Sequence, residues 1–294
     1  MGAVDPGVAA GQEFGLVVRQ LEFKGNSSIP TVALEAAIAT TKSAWLARVL
    51  PALSFGEIRR LNEREFRVDV NRIRLFYQLS GFLGVRVDTA VVRTDKDAYI
   101  TFTITEGEPI RVRTLSIRGL DSLPDRDRVL RDLPLEVGMP YNRYLVVATG
   151  DTIQLRLFDR GYPTATVLVG KREVDTVTKT ADLELIADPG QSATIGSIRV
   201  DGENAVDSSF IRSLLATRSG RGFRSSEIYR SQLNLYQSGL FRVATVEVDT
   251  TRFTLGDPTV PLLIEVQEGP MFRARSGIGI GTNDCLRASA GWTA

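Results

Sequence analysis

Histidine is absent from the 294 residues, which excludes Ser-His-Asp triads, Cys-His nucleophiles and paired-His zinc sites. Cysteine is almost absent too. The lone Cys285 can close no internal disulfide, so the fold must stand on its apolar cores. Neither sign of charge is in excess: 36 basic residues face 35 acidic ones, and the net charge of +1 offers no global pull on a polyanion. Only five of the basic residues are lysine, and the arginines read as a salt-bridged surface. A transmembrane helix needs about 18 consecutive apolar residues, and no run approaches that length. The opening segment MGAVDPGVAAGQEFG has neither a basic start nor an apolar stretch, so it does not read as an intact signal peptide.

What is present is 43% apolar residues and a repeat. Three alternating segments each close on a glycine turn: Val17 to Gly25-Asn26, Arg113 to Gly119-Leu120, and Ile195 to Gly202-Glu203-Asn204. After each turn, Ser, Asp and Pro signals open a short helix, expected over Pro30 to Thr40, Pro124 to Leu133 and Asp207 to Thr217. A longer second helix follows. Its apolar stripe reads as Phe66, Val70, Ile73 and Tyr77 in the first repeat, and as Ile228, Leu233, Leu235 and Tyr236 in the third. The second repeat, with Leu145, Ile153, Leu157 and Phe158, is less regular. Gly81, Gly161 and Gly239 stand where a left-handed cap would end each helix.

Two strands complete each repeat, expected over Val85 to Val92 and Tyr99 to Thr105, Thr164 to Val169 and Ala181 to Ile186, and Val243 to Asp249 and Pro261 to Val266. A three-stranded sheet with one apolar face can bury it only under its own two helices. The expected fold class is therefore α+β: three tandem βααββ domains, each a three-stranded sheet packed under two helices. The expected boundaries are an N-terminal extension over 1–15 and domains over 16–109, 110–190 and 191–270. In 271–294, Gly277, Gly279 and Gly281 alternate with Ile278 and Ile280. After an Asn283-Asp284 turn, alternation resumes up to Trp292, as in a transmembrane β-hairpin.

With these residues in view, the chain resembles the POTRA domains that precede the barrel in bacterial outer-membrane assembly factors of the BamA and TamA type. The resemblance rests on the turns Phe23-Lys24-Gly25-Asn26 and Val200-Asp201-Gly202-Glu203-Asn204, the helix end Leu235-Tyr236-Gln237-Ser238-Gly239-Leu240-Phe241, and the closing Glu268-Gly269-Pro270. The 271–294 tail looks like the start of that family's barrel, truncated after one partial hairpin. Three repeats are closer to the TamA pattern than to the BamA pattern of five, and the second repeat departs most, with Arg118-Gly119-Leu120 in place of a Gly-Asn turn.

The resemblance implies a periplasmic, outer-membrane-attached arm that receives unfolded barrel proteins and periplasmic accessory or chaperone proteins, without catalysis or cofactor. The charge balance, with a net charge of +1, points to no nucleic-acid partner. Two alternatives stay open: the arm of a two-partner-secretion exporter, and an envelope scaffold module. Phosphate loops fail on inspection, since Gly170-Lys171 is followed by Arg172. In this family the middle strand of each repeat is expected at the sheet edge. The second repeat's strand, Thr164, Ala165, Thr166, Val167, Leu168 and Val169, carries no charge, which makes it the expected edge for client strands. A long apolar connection in the first repeat, with Trp45, Leu46, Leu50, Leu53 and Phe55, is the second candidate contact.

Overall fold

The computed structural model describes residues 16–43, 59–269, 273–279 and 287–293. The N-terminal extension and the apolar connection with Trp45, Leu46, Leu50, Leu53 and Phe55 lie outside the described residues. The first repeat contains β1 (Val17–Lys24), α1 (Thr31–Ala37), α2 (Glu63–Leu79), β2 (Arg86–Arg93) and β3 (Asp97–Thr105). The second contains β4 (Arg111–Arg118), α3 (Arg126–Val129), α4 (Arg143–Phe158), β5 (Thr166–Asp175) and β6 (Thr180–Asp188). The third contains β7 (Thr194–Asp201), α5 (Ser208–Ser213), α6 (Ser225–Gln237), β8 (Phe241–Val248) and β9 (Thr259–Glu268). A hairpin, β10 (Arg273–Gly279) with β11 (Arg287–Thr293), follows.

The three sheets share one topology, β1-β3-β2, β4-β6-β5 and β7-β9-β8. In the first and third, the opening strand runs parallel to the last and the middle strand antiparallel to it. The three α+β repeats read from the sequence are thus present. By contact density the chain divides into two compact units, one of Met1–Leu115, Pro134–Ala148 and Lys171–Leu183, the other of Ser116–Leu133, Thr149–Gly170 and Glu184–Ala294. β10 and β11 pair antiparallel, Ile278 opposite Ala288, and among the described residues no barrel is closed. No described helix is long and apolar enough to cross a membrane.

Each sheet is built around its central strand. In β3, Ala98, Ile100, Phe102 and Ile104 point inward, and Phe102 stacks on Phe23 at 5.3 Å and meets Phe66 at 5.6 Å. This period of two is what a sheet with one covered face requires. The third repeat buries Val260, Leu262, Ile264 and Val266 in the same way.

The first helices are shorter than the sequence predicts, and one cause recurs. The second helix of each repeat takes hold of the backbone where the first would continue. The Asp69 carboxylate accepts from the N–H groups of Ala39 and Thr40, both at 2.9 Å, so α1 stops at Ala37. Ser231 Oγ accepts from Ala216 N–H at 2.9 Å and Asn234 donates to the Leu214 carbonyl, beyond the end of α5. In the second repeat a cation does the work: the Arg156 guanidinium donates to the carbonyls of Val129, Arg131 and Asp132.

The helix stripes need two corrections. In α4 the buried residues are Val146, Thr149, Ile153 and Leu157, a regular stripe hidden in the sequence by a buried threonine. In α6 the core takes Ser231 and Leu235 with half-buried Ile228, whereas Leu233 and Tyr236 are exposed. The glycines Gly81, Gly161 and Gly239 do adopt positive φ at the helix ends.

Candidate functional site

A three-stranded sheet has two edges, and the repeats treat them differently. The opening-strand edge is covered over its first half by the connection between the helices. Val18 N–H donates to the Arg59 carbonyl and Leu61 N–H to that of Leu16; Val112 and Gly138 exchange a similar pair with Met139 and Val112; Ile195 N–H donates to Arg221 and Gly220 N–H returns to Ile195. The other edge is formed by β2, β5 and β8. Among the described residues, no backbone hydrogen bond from outside its own sheet reaches β5. Such an edge presents a row of N–H and C=O groups to any extended chain.

The three open edges differ in side chains. β2 carries Arg86, Asp88 and Arg93, and β8 carries Arg242 and Glu247. β5 begins with Thr166, Val167, Leu168, Val169 and Gly170 before its first charge at Lys171. Leu168 is 67% exposed and Val169 48%. Val167 instead turns toward α4, its Cγ1 lying 3.6 Å from where a Cβ on Gly150 would stand. A Cβ on Gly170 would come within 2.8 Å of Ile186 Cδ1, the tip of a half-exposed side chain on β6.

The structure redraws the predicted segment. Thr164 lies in a turn, and Ala165 is buried, with its N–H on the Tyr162 carbonyl and its own carbonyl accepting from Gln154 Nε2 at 2.8 Å. Both backbone groups of Ala165 are thus already paired. The cause is the chain's exit from α4 through Gly161-Tyr162-Pro163, which needs one more turn before it can extend. Thr166, Val167, Leu168 and Val169 are in the strand as expected. The strand then runs on to Asp175 through a charged half that the sequence reading missed, including the Lys171–Glu173 ion pair at 2.9 Å. Alternation of opposite charges two residues apart was the available signal.

On the sheet's other edge, Arg113 forks onto Asp182 with its Nε at 3.0 Å, and Thr114 adds a hydroxyl at 2.7 Å. The hydrogen bonds from Arg113 and then Thr114 hold the Asp182 carboxyl at about 2. The charges of Arg113 on β4 and Asp182 at the start of β6 are thus paired with each other. The first half of β5 itself carries no carboxylate.

Each repeat also latches the turn after its opening strand onto the end of its last strand. Gly25, Gly119 and Gly202 have φ of +80°, +89° and +88°, and a Cβ on them would lie 2.1, 1.9 and 2.2 Å from the carbonyl oxygens of Ile104, Ala187 and Val266. In the first repeat Glu106, two residues past Ile104, accepts from Ser28 N–H, Ser28 Oγ and the Tyr77 hydroxyl. Burial, aided by that hydrogen bond, pushes the Tyr77 hydroxyl well above its ordinary value. In the third, Glu268 stands two residues past Val266 and accepts from the N–H groups of Asn204, Ala205 and Val206, bonds that hold its carboxyl below the usual range. In the second the corresponding residue is Pro189, and fully buried Leu120 fills the turn.

The POTRA family model, described as a surface antigen variable number repeat, matches residues 16–107 and 193–269. The outer membrane protein assembly factor BamA of Neisseria meningitidis is 24% identical over 230 residues, which are 76% of this chain and 28% of that protein. A putative outer membrane protein assembly factor of Treponema pallidum is 22% identical over 276 residues, 90% of this chain and 31% of that one. The chain thus spans less than a third of the length of these curated relatives. In fold it is similar to the crystal structure of POTRA3-5 of Haemophilus influenzae BamA, with a TM-score of 0.53 and 20% identity over 86% of this chain and 96% of that one.

Proposed function

The chain belongs to the POTRA family, and from that membership we propose that it is the periplasmic arm of an outer-membrane protein assembly factor. It binds unfolded barrel-protein clients by adding their strands to the open edge of β5, and it meets periplasmic accessory or chaperone proteins on the same scaffold. Its attachment to the outer membrane runs through the barrel that 271–294 would begin. The work is binding and release, with no bond made or broken.

One observation carries this reading: the first half of β5, Thr166 to Gly170, is an uncapped and uncharged edge, whereas β2 and β8 carry charges along theirs. Soluble domains ordinarily blunt such edges with charge, proline or a covering element. Main-chain pairing reads little of the client's sequence, which suits a receiver of many different barrel strands.

The test uses proline at neighbouring positions. In an edge strand alternate residues aim N–H and C=O outward, so of Leu168 and Val169 one faces the free edge. Proline at that position is expected to leave the fold intact and weaken binding of barrel-strand peptides, measured by fluorescence anisotropy, while proline at the other breaks a ladder bond and destabilises the sheet. Unchanged peptide binding by the well-folded variant would refute β5 as the client edge.

A further inference from the structure

Three arginines from separate parts of the second unit converge on one cavity of ≈ 450 Å³: Arg128 of α3, Arg160 just past α4, and Arg224 just before α6. Two carboxylates, Asp125 and Asp159, share the wall, so the cations are in excess. Both carboxylates are already engaged. Asp159 Oδ1 accepts from Ser226 N–H at 3.0 Å, and Asp125 lies 3.7 Å from Arg128 in an exposed pair. Arg160 donates one Nη1 bond to the Arg156 carbonyl, but its Nε is buried with no partner among the described residues. A buried donor left unpaired is uncommon in native structures and calls for an acceptor. Arg224 stands at the start of the 13-residue α6, makes no side-chain cap bond, and adds its charge to the positive end of that helix.

We propose that this cavity binds a carboxylate group of a polypeptide lying along β5. Guanidinium forks match the two oxygens of a carboxylate, and the site has room for more than an isolated inorganic anion. Tyr162, which also lines the cavity, precedes the first residue of β5 by four positions, a span of at most about 14 Å. A chain paired with Thr166 to Gly170 needs only about four further residues to reach the arginines. The inference rests on β5 as the client edge, but the anion site can be tested apart from it. The carboxylate is either an Asp or Glu side chain or the chain's own C-terminus.

The experiment takes the full 294-residue chain and follows arginine Nε–H resonances during titration with sodium acetate at constant ionic strength, sodium chloride being the control. Saturable shifts at Arg160 and Arg224 are expected, and R160Q/R224Q should abolish them while circular dichroism stays unchanged. No saturable shift with acetate would overturn the site whatever becomes of the edge. Peptides that pair with β5 then separate the sources: one with a free C-terminus and no acidic residue, one amidated with a single glutamate beyond the paired segment, and one with neither. One of the first two should bind on the order of tenfold tighter than the third, with the gain lost in R160Q/R224Q. Equal binding of all three would overturn the assignment to a polypeptide carboxylate and leave the edge reading standing. Loss of all peptide binding in the β5 proline variant with acetate shifts intact would locate the two sites separately, as proposed.

Discussion

The first and third repeats fasten their opening turn with a glutamate, while the second does the same job with a leucine. Glu106 and Glu268 gather N–H and O–H donors from the turn; at the equivalent place the second repeat has Pro189, and Leu120 is buried instead. The helix attachments divide in part the same way, although Asn234 of the third repeat also donates to the Leu214 carbonyl. Asp69 and Ser231 accept N–H groups, whereas Arg156 donates to carbonyls. The family model matches the first and third repeats and not the second. One backbone frame therefore accepts opposite local chemistry, because the frame needs the loose groups satisfied and is indifferent to which partner satisfies them. The departing repeat is also the one whose open edge starts without charge.

The largest effect should fall where the three repeats agree. Alanine at Gly25, Gly119 or Gly202 would set a Cβ about 2 Å from a backbone carbonyl at a positive φ, so each should lose about 3 kcal/mol or more in chemical denaturation. A repeat that tolerated the change would show that its glycine contact is not shared.

Leu120→Ala should cost about 2–5 kcal/mol, since a fully buried side chain leaves a cavity. The glutamate latch should respond to acid instead. The Glu268 carboxyl lies below its ordinary value of 4.5 when folded, so its contribution is complete above that value and is lost as the pH falls through the depressed one. Hydrogen exchange is expected to show Asn204, Ala205 and Val206 losing protection on acidification in the parent but pH-independent in Glu268→Gln. The turn at Leu120 should keep its protection over the same range, and parallel loss at both turns would dissolve the distinction. Asp69 belongs with Glu268 here. Burial alone would raise its carboxyl, yet the bonds from Thr40, Ala39 and Arg72 outweigh that and hold it low.

The smallest change in stability, within about 0.5 kcal/mol, is expected for Leu168→Lys, because the side chain is mostly solvated. Its effect on peptide binding should be large, making the second edge resemble the first and third. If Leu168→Lys bound peptides like the parent, the absence of charge would not be what sets the second edge apart.

The sequence by itself determined the repeat, the strand and helix order and the α+β class. Those follow from periods of two and 3.6 and from glycines at turns and caps, which are local properties of neighbouring residues. It misjudged α4, where buried Thr149 interrupts the stripe while Val147 and Leu155 lie exposed beside it, and α6, where Leu233 and Tyr236 face water and Ser231 faces the core. A polar residue is welcome in a core only if a partner waits there, and for Ser231 that partner is Ala216 N–H, 15 residues away. Of the candidate edge, Thr166 to Val169 was legible as an uncharged run. Only the tertiary structure decided that Thr164 and Ala165 are spent on the turn out of α4, and that Arg128, Arg160 and Arg224, as much as 96 residues apart, line one cavity. Contacts of that separation are set by how layers pack, and no pattern of adjacent residues encodes them.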